Sequence, residues 1–88
     1  MSDDPRPGLA PGYRLQWEEA QGQDVLLFPE GMIKLNETAS IILKECDGES
    51  TVSEIVARLE ERFPGADLSA DVLEFLGVAR ERGWIADH

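Results

Sequence analysis

The 88-residue chain carries 18 acidic against 8 basic residues, a formal net charge of −10. That length supports one domain with a modest core and little room for a deep enclosed pocket. The charge disfavours nucleic acid and anionic membranes, both of which need clustered Lys and Arg, and suits a neutral or basic partner as well as plain solubility. Residues 1–12 contain Pro5, Pro7, Gly8, Pro11 and Gly12 and are expected to be a flexible, at most loosely docked N-terminal segment ahead of a domain over 13–88. Met1 to Pro5 has neither the basic nor the apolar region of a signal peptide. No apolar run approaches the ~20 residues of a membrane span. With Cys46 as the single cysteine, no internal disulfide can form, and a cytoplasmic location is expected.

Tyr13 to Glu18 alternates apolar and polar residues, the pattern of a strand with one buried face. Glu19 to Gln23, with Gly22, reads as a hairpin loop. Asp24 to Phe28 is a second strand that is apolar on both faces, with Leu26 and Phe28 on one side and Val25 and Leu27 on the other. After the turn Pro29-Glu30-Gly31 comes a short third strand, Met32 to Leu35. Three strands in succession predict an antiparallel meander.

Asn36 is placed to cap a first helix, on which Ala39, Ile42, Leu43 and Cys46 share one face. Asp47-Gly48 ends it. Thr51 and Glu54 form a capping box for a second helix with the apolar stripe Val52, Ile55, Val56, Leu59 and Phe63. Pro64-Gly65 stops that helix, and Ser69 is expected to cap a third, running to about Arg82 before Gly83. On the third helix Val72, Leu73, Phe75, Leu76, Val78 and Ala79 spread over roughly 220° of circumference, where one packed side needs only about 100°.

Two surpluses of apolar surface follow: the strand pair Val25 to Phe28 and Met32 to Leu35, and the wide face of the third helix. A sheet-edge strand leaves backbone groups unpaired, and an extended peptide can add there with its side chains entering pockets beside the adjacent helix. Burial of both surpluses in the core, or in a homodimer, is the structural alternative.

The sequence offers no credible catalyst. His88, the only histidine, is the terminal residue, and Cys46 lies on the buried stripe of its helix, where it reads as a small core hydrophobe. There is no Cys/His cluster for zinc or iron–sulfur, and no phosphate-binding glycine loop. No metal and no cofactor is expected.

The run Leu26-Leu27-Phe28-Pro29-Glu30-Gly31, followed by Leu35-Asn36-Glu37-Thr38-Ala39, Ile42-Leu43 and Cys46-Asp47-Gly48, resembles the PqqD family. So do Thr51 to Ile55 with Leu59 and Phe63, Asp71-Val72 with Phe75-Leu76, and Gly83-Trp84. The resemblance covers nearly the whole chain after Pro7. It implies an α+β, winged-helix-like peptide-recognition domain over 13–88, with a three-stranded antiparallel sheet followed by three helices. It also implies a non-catalytic chaperone of pyrroloquinoline quinone biosynthesis that binds the ribosomally made precursor peptide PqqA. The chaperone would present that peptide to PqqE, a radical S-adenosylmethionine enzyme that cross-links a glutamate to a tyrosine. In related recognition elements the leader peptide adds beside the third strand and packs on the third helix.

Together these readings predict a site in which the peptide backbone pairs with Met32, Ile33, Lys34 and Leu35 and its apolar side chains pack on Val72, Phe75, Leu76 and Ala79. Asp71, Glu74 or Glu30 would steer a basic peptide at the rim, each exposed charge contributing less than ~1 kcal/mol. The protein is expected to be a monomer or a homodimer. The competing readings are a quinone-binding or purely structural homodimeric protein of the same pathway. Winged-helix DNA binding is disfavoured by Asp71, Glu74 and Glu81 on the third helix.

Overall fold

A computed structural model describes residues 5–88 of the protein. In chain order the elements are β1 (Pro7–Leu9), β2 (Arg14–Glu18), β3 (Gln23–Phe28), β4 (Gly31–Lys34), α1 (Glu37–Lys44), α2 (Val52–Arg62), α3 (Ser69–Glu81) and β5 (Ile85–Asp87). β2, β3 and β4 form the expected antiparallel meander in that order, and β1 pairs with β5 in a separate two-stranded sheet.

Local chemistry sets the helix boundaries. The Asn36 side chain accepts a hydrogen bond from the Ala39 N–H at 2.7 Å, as an N-cap should. At α2 both halves of the capping box form: the Glu54 N–H donates to the Thr51 hydroxyl, and the Thr51 N–H donates to the Glu54 carboxylate. That second bond holds the Glu54 carboxyl below its ordinary pKa. Between these helices the Asp47 carboxylate accepts from the Glu49 and Ser50 N–H groups and is likewise depressed. The third cap differs from expectation. Ser69 is the first residue of α3, and Leu68 occupies the cap position without a side-chain bond. The orphan Leu68 N–H is satisfied instead by the Glu60 carboxylate, at 3.0 Å from α2.

The core lies between the meander and the helices. Leu26, Ile42, Leu43, Ile55, Leu59 and Leu76 are all essentially inaccessible, and each burial stabilises the fold by roughly 1.5–3 kcal/mol. A buried polar contact pins α1 to β3. Asp24, with an 8% exposed side chain, accepts from the Ser40 hydroxyl and faces Lys44 Nζ at 3.0 Å. The Ser40 hydrogen bond, with help from Lys44, outweighs desolvation and holds the Asp24 carboxyl below its ordinary pKa. Since the folded-state value is the lower one, this contribution is present at neutral pH and is lost as pH falls through and below the ordinary carboxylate range.

The N-terminal segment requires a correction within residues 1–12; residues 1–4 of that expectation lie outside the described residues. Pro7 is fully buried, and β1 registers Pro7 to Asp87, Gly8 to Ala86 and Leu9 to Ile85. The Pro7 carbonyl also accepts from the Gly48 N–H at 2.9 Å. Gly48 adopts a φ of +76°, a left-handed conformation that glycine takes without a side-chain clash. Gly8 faces it so closely that an added Cβ would stand 3.0 Å from the Gly48 Cα and N. The obstruction is backbone, so it cannot swing aside. Gly8→Ala is expected to lower stability by about 1–3 kcal/mol, measured as a drop in the thermal unfolding midpoint.

Candidate functional site

The register of the meander fixes which backbone groups are free. β4 pairs with β3 through Lys34 to Val25, Ile33 to Leu26, Met32 to Leu27 and Gly31 to Phe28. One step further, the Leu35 N–H donates to the Asp24 carbonyl at 3.1 Å. Antiparallel ladders alternate hydrogen-bonded and non-hydrogen-bonded pairs. Leu35, Ile33 and Gly31 therefore direct their backbone groups toward β3, and Met32 and Lys34 direct theirs to the outer edge. The same alternation reads across β2, where Leu15 and Trp17 face the opposite edge of the sheet.

Side chains follow the two-residue period. Ile33 packs on the core cluster and Leu35 belongs to it. Met32, 47% exposed, and Lys34 stand on the solvent face. The four predicted strand residues thus divide into two roles. Met32 and Lys34 have their backbone groups on the outer edge, whereas those of Ile33 and Leu35 are turned to β3, so the four expected positions are not equivalent.

The helix half of the predicted site is corrected. Val72, Leu76 and Ala79 are at most 1% exposed and sit in the core cluster, so three of the four predicted helix contacts cannot meet a guest on an intact fold. Phe75 remains half-buried, with its ring 6.5 Å from that of Trp84. α3 turns its Val72, Leu76 and Ala79 edge inward because these residues recur at spacings of four and three. The uncovered remainder of the wide face is Phe75 with Val78, which is 40% exposed, on one flank and Leu73 on the other.

A groove of about 440 Å³ is lined by Phe75 and Val78 together with Asp71, Glu74 and Thr38. Thr38 lies in the first turn of α1, four residues along the chain from Lys34. Asp71 and Glu74 put two carboxylates on its α3 wall. Glu30 is exposed in the β3–β4 turn. Thr38 and Val78 line the groove but are not among the residues expected to contact a peptide. The signal for Val78 was present in the breadth of the apolar face, but the signal for Thr38 was not, since a threonine in a first turn is unremarkable.

The thiol of Cys46 is not activated for chemistry. Burial pushes the Cys46 thiol up to about 12, and its sulfur lies 3.4 Å from the Ile42 carbonyl. Cys46 should therefore resist alkylation by iodoacetamide at pH 8 in the native protein and react at an ordinary thiol rate in denaturant, as followed by mass spectrometry. Among the described residues no group of three or more His, Cys, Asp or Glu is placed to hold a metal ion. No helix among them is long and apolar enough to cross a membrane.

The three-stranded antiparallel meander with three helices is an α+β domain of the winged-helix-like kind, with β4 at one edge of its sheet. The chain belongs to the PqqD family, whose model, described as coenzyme PQQ synthesis protein D, matches residues 24–85. It is 57% identical over 83 residues to the PqqA binding protein of Azotobacter vinelandii, covering 93% of this chain and 90% of that one. Its fold is similar to the solution structure of the PqqD truncation of Methylobacterium extorquens PqqCD, with a TM-score of 0.72 and 35% identity, covering 91% of this chain and 87% of that one. That truncation is described as a functional, stand-alone recognition element for ribosomally synthesized and post-translationally modified peptides. The heterocyclase TruD contains a similar fold at a TM-score of 0.73 and 22% identity, with 96% of this chain matching 12% of TruD.

Proposed function

We propose that this protein is a non-catalytic peptide chaperone of pyrroloquinoline quinone biosynthesis. It holds PqqA as a fourth strand on the outer edge of β4 and presents it to PqqE. Two main-chain positions, Met32 and Lys34, supply sequence-tolerant hydrogen bonds, and the groove at Thr38, Phe75 and Val78 selects side chains. The observation that carries this reading is the outward direction of the Met32 and Lys34 backbone on the β4 edge, in a relative of proteins named for binding PqqA. The acidic wall of the groove, Asp71 and Glu74, favours a peptide with a basic residue at that point.

Presentation, as opposed to sequestration, requires that the bound peptide leave its reactive segment clear of the protein. An edge-added strand does this, because its outer edge stays free and the chain can continue beyond the end of the sheet. Calorimetric titration of the full chain with PqqA, and of the preformed complex with PqqE, tests both halves. The expected result is a one-to-one peptide complex that then associates with PqqE. A chain that binds PqqE but not PqqA would overturn the reading.

A further inference from the structure

A second cavity, of about 220 Å³, lies where the start of α1, the end of α2 and the start of α3 converge. Ile42, Leu59 and Val72 line it and are nearly inaccessible, whereas Ile41 and Leu68 are half-buried and Phe63 is 41% exposed. It therefore has an apolar floor, and a lip on which Ile41, Leu68 and Phe63 are joined by Thr38 and Asp71. We propose that this cavity is an anchor site for one large apolar side chain of the guest peptide, a leucine, isoleucine, methionine or phenylalanine lying outside the strand-paired stretch and next to a lysine or arginine. The inference rests on the strand-addition reading and adds a recognition rule to it.

Size points to the occupant. Pockets for cofactors and drug-sized ligands span about 300–1,000 Å³, so this one is too small for them and large enough for one side chain. Continuity points to the source. Thr38 and Asp71 line this cavity and also the groove along α3. A peptide lying in that groove therefore meets this cavity at Thr38 and Asp71. Charge points to the flanking residue. The Asp71 carboxylate stands on the shared lip, and among the described residues it has no ion-pair partner. Phe63 owes its exposure to its place at the end of α2, where φ of −125° takes it out of the helix. Its ring is left over the lip, with the Arg62 guanidinium 5.4 Å from its centre.

The test titrates PqqA into the full-length protein, into Ile41→Asp and into Met32→Pro, and repeats the first two titrations with each large apolar residue of PqqA replaced by alanine. Ile41 is only half-buried, so its variant is expected to fold. Should it fail to, the Ile41 methyl resonances of the unaltered protein, and their intermolecular Overhauser contacts with the peptide, give the same answer. The expected result is a loss of roughly tenfold or more in affinity for Ile41→Asp. One alanine replacement in the peptide should match that loss in the unaltered protein and add nothing in Ile41→Asp. Unchanged affinity in Ile41→Asp, with no shift of the Ile41 methyls while Met32→Pro still blocks binding, overturns the anchor and leaves the strand reading standing. Unchanged affinity in both variants removes the strand reading and the anchor together.

Discussion

Replacing Met32 with proline is expected to weaken PqqA binding by roughly thirtyfold to a hundredfold while leaving the domain folded. The Met32 N–H points away from β3, so losing it breaks no bond of the meander, and a proline on an outer edge is tolerated by a sheet. A guest strand loses the bond that Met32 would donate and meets a pyrrolidine ring where it must approach. Together these cost about 2–3 kcal/mol. Ile33→Pro is the internal control. The Ile33 N–H is directed at Leu26, so that variant breaks the β3–β4 ladder and should lose stability. Equal binding by Met32→Pro and the unaltered protein, with both folded, would mean that the peptide does not use this edge.

Leu76→Ala should do the reverse, destabilising the protein by about 2–5 kcal/mol with little change in the affinity of the folded fraction. Leu76 is fully buried in the core cluster, and truncating such a residue costs both its transfer free energy and a cavity. In a domain whose whole stability is of order 5–15 kcal/mol, this is a large fraction. The thermal midpoint should fall by roughly 10–25 °C. Phe75→Ala, one residue away, should weaken the peptide about tenfold for a smaller stability loss, since Phe75 lines the groove and Leu76 does not. The pair separates the two edges of α3 by experiment. If Leu76→Ala kept its thermal midpoint and lost the peptide, the core assignment would be wrong.

Local signals carried most of the fold. The meander followed from alternation and turn residues, and two helices were announced by side chains that do cap them, Asn36 and the pair Thr51 and Glu54. Pairings distant in sequence were not legible. β1 is three residues long, contains a proline and a glycine, and finds its partner at the opposite end of the chain, so no periodicity within it could reveal a strand. Ser69 resembled a cap, but the orphan Leu68 N–H took a carboxylate from another helix instead. The buried Asp24 read as the polar start of a strand because its partners, Ser40 and Lys44, are a helix away.

The candidate site was legible in outline and not in orientation. A surplus of apolar surface on α3 can be counted from the sequence, and its width correctly implied that some of it stays exposed. Which edge turns inward depends on packing against α2, β5 and the sheet, which periodicity does not contain. Periodicity therefore does not separate Val72, Leu76 and Ala79, which serve the core, from Val78, which stays exposed. On β4 the sequence gives the strand, but only the pairing of Leu35 with Asp24 tells which residues face outward.

The central claim is that a guest chain completes the sheet at β4 and not at its other edge, and amide hydrogen exchange read by NMR with and without PqqA addresses it most directly. The account predicts that saturating peptide slows exchange at Met32 and Lys34, leaving Leu15 and Trp17 as fast as in the free protein. Protection appearing at Leu15 and Trp17, with Met32 and Lys34 unchanged, would contradict it.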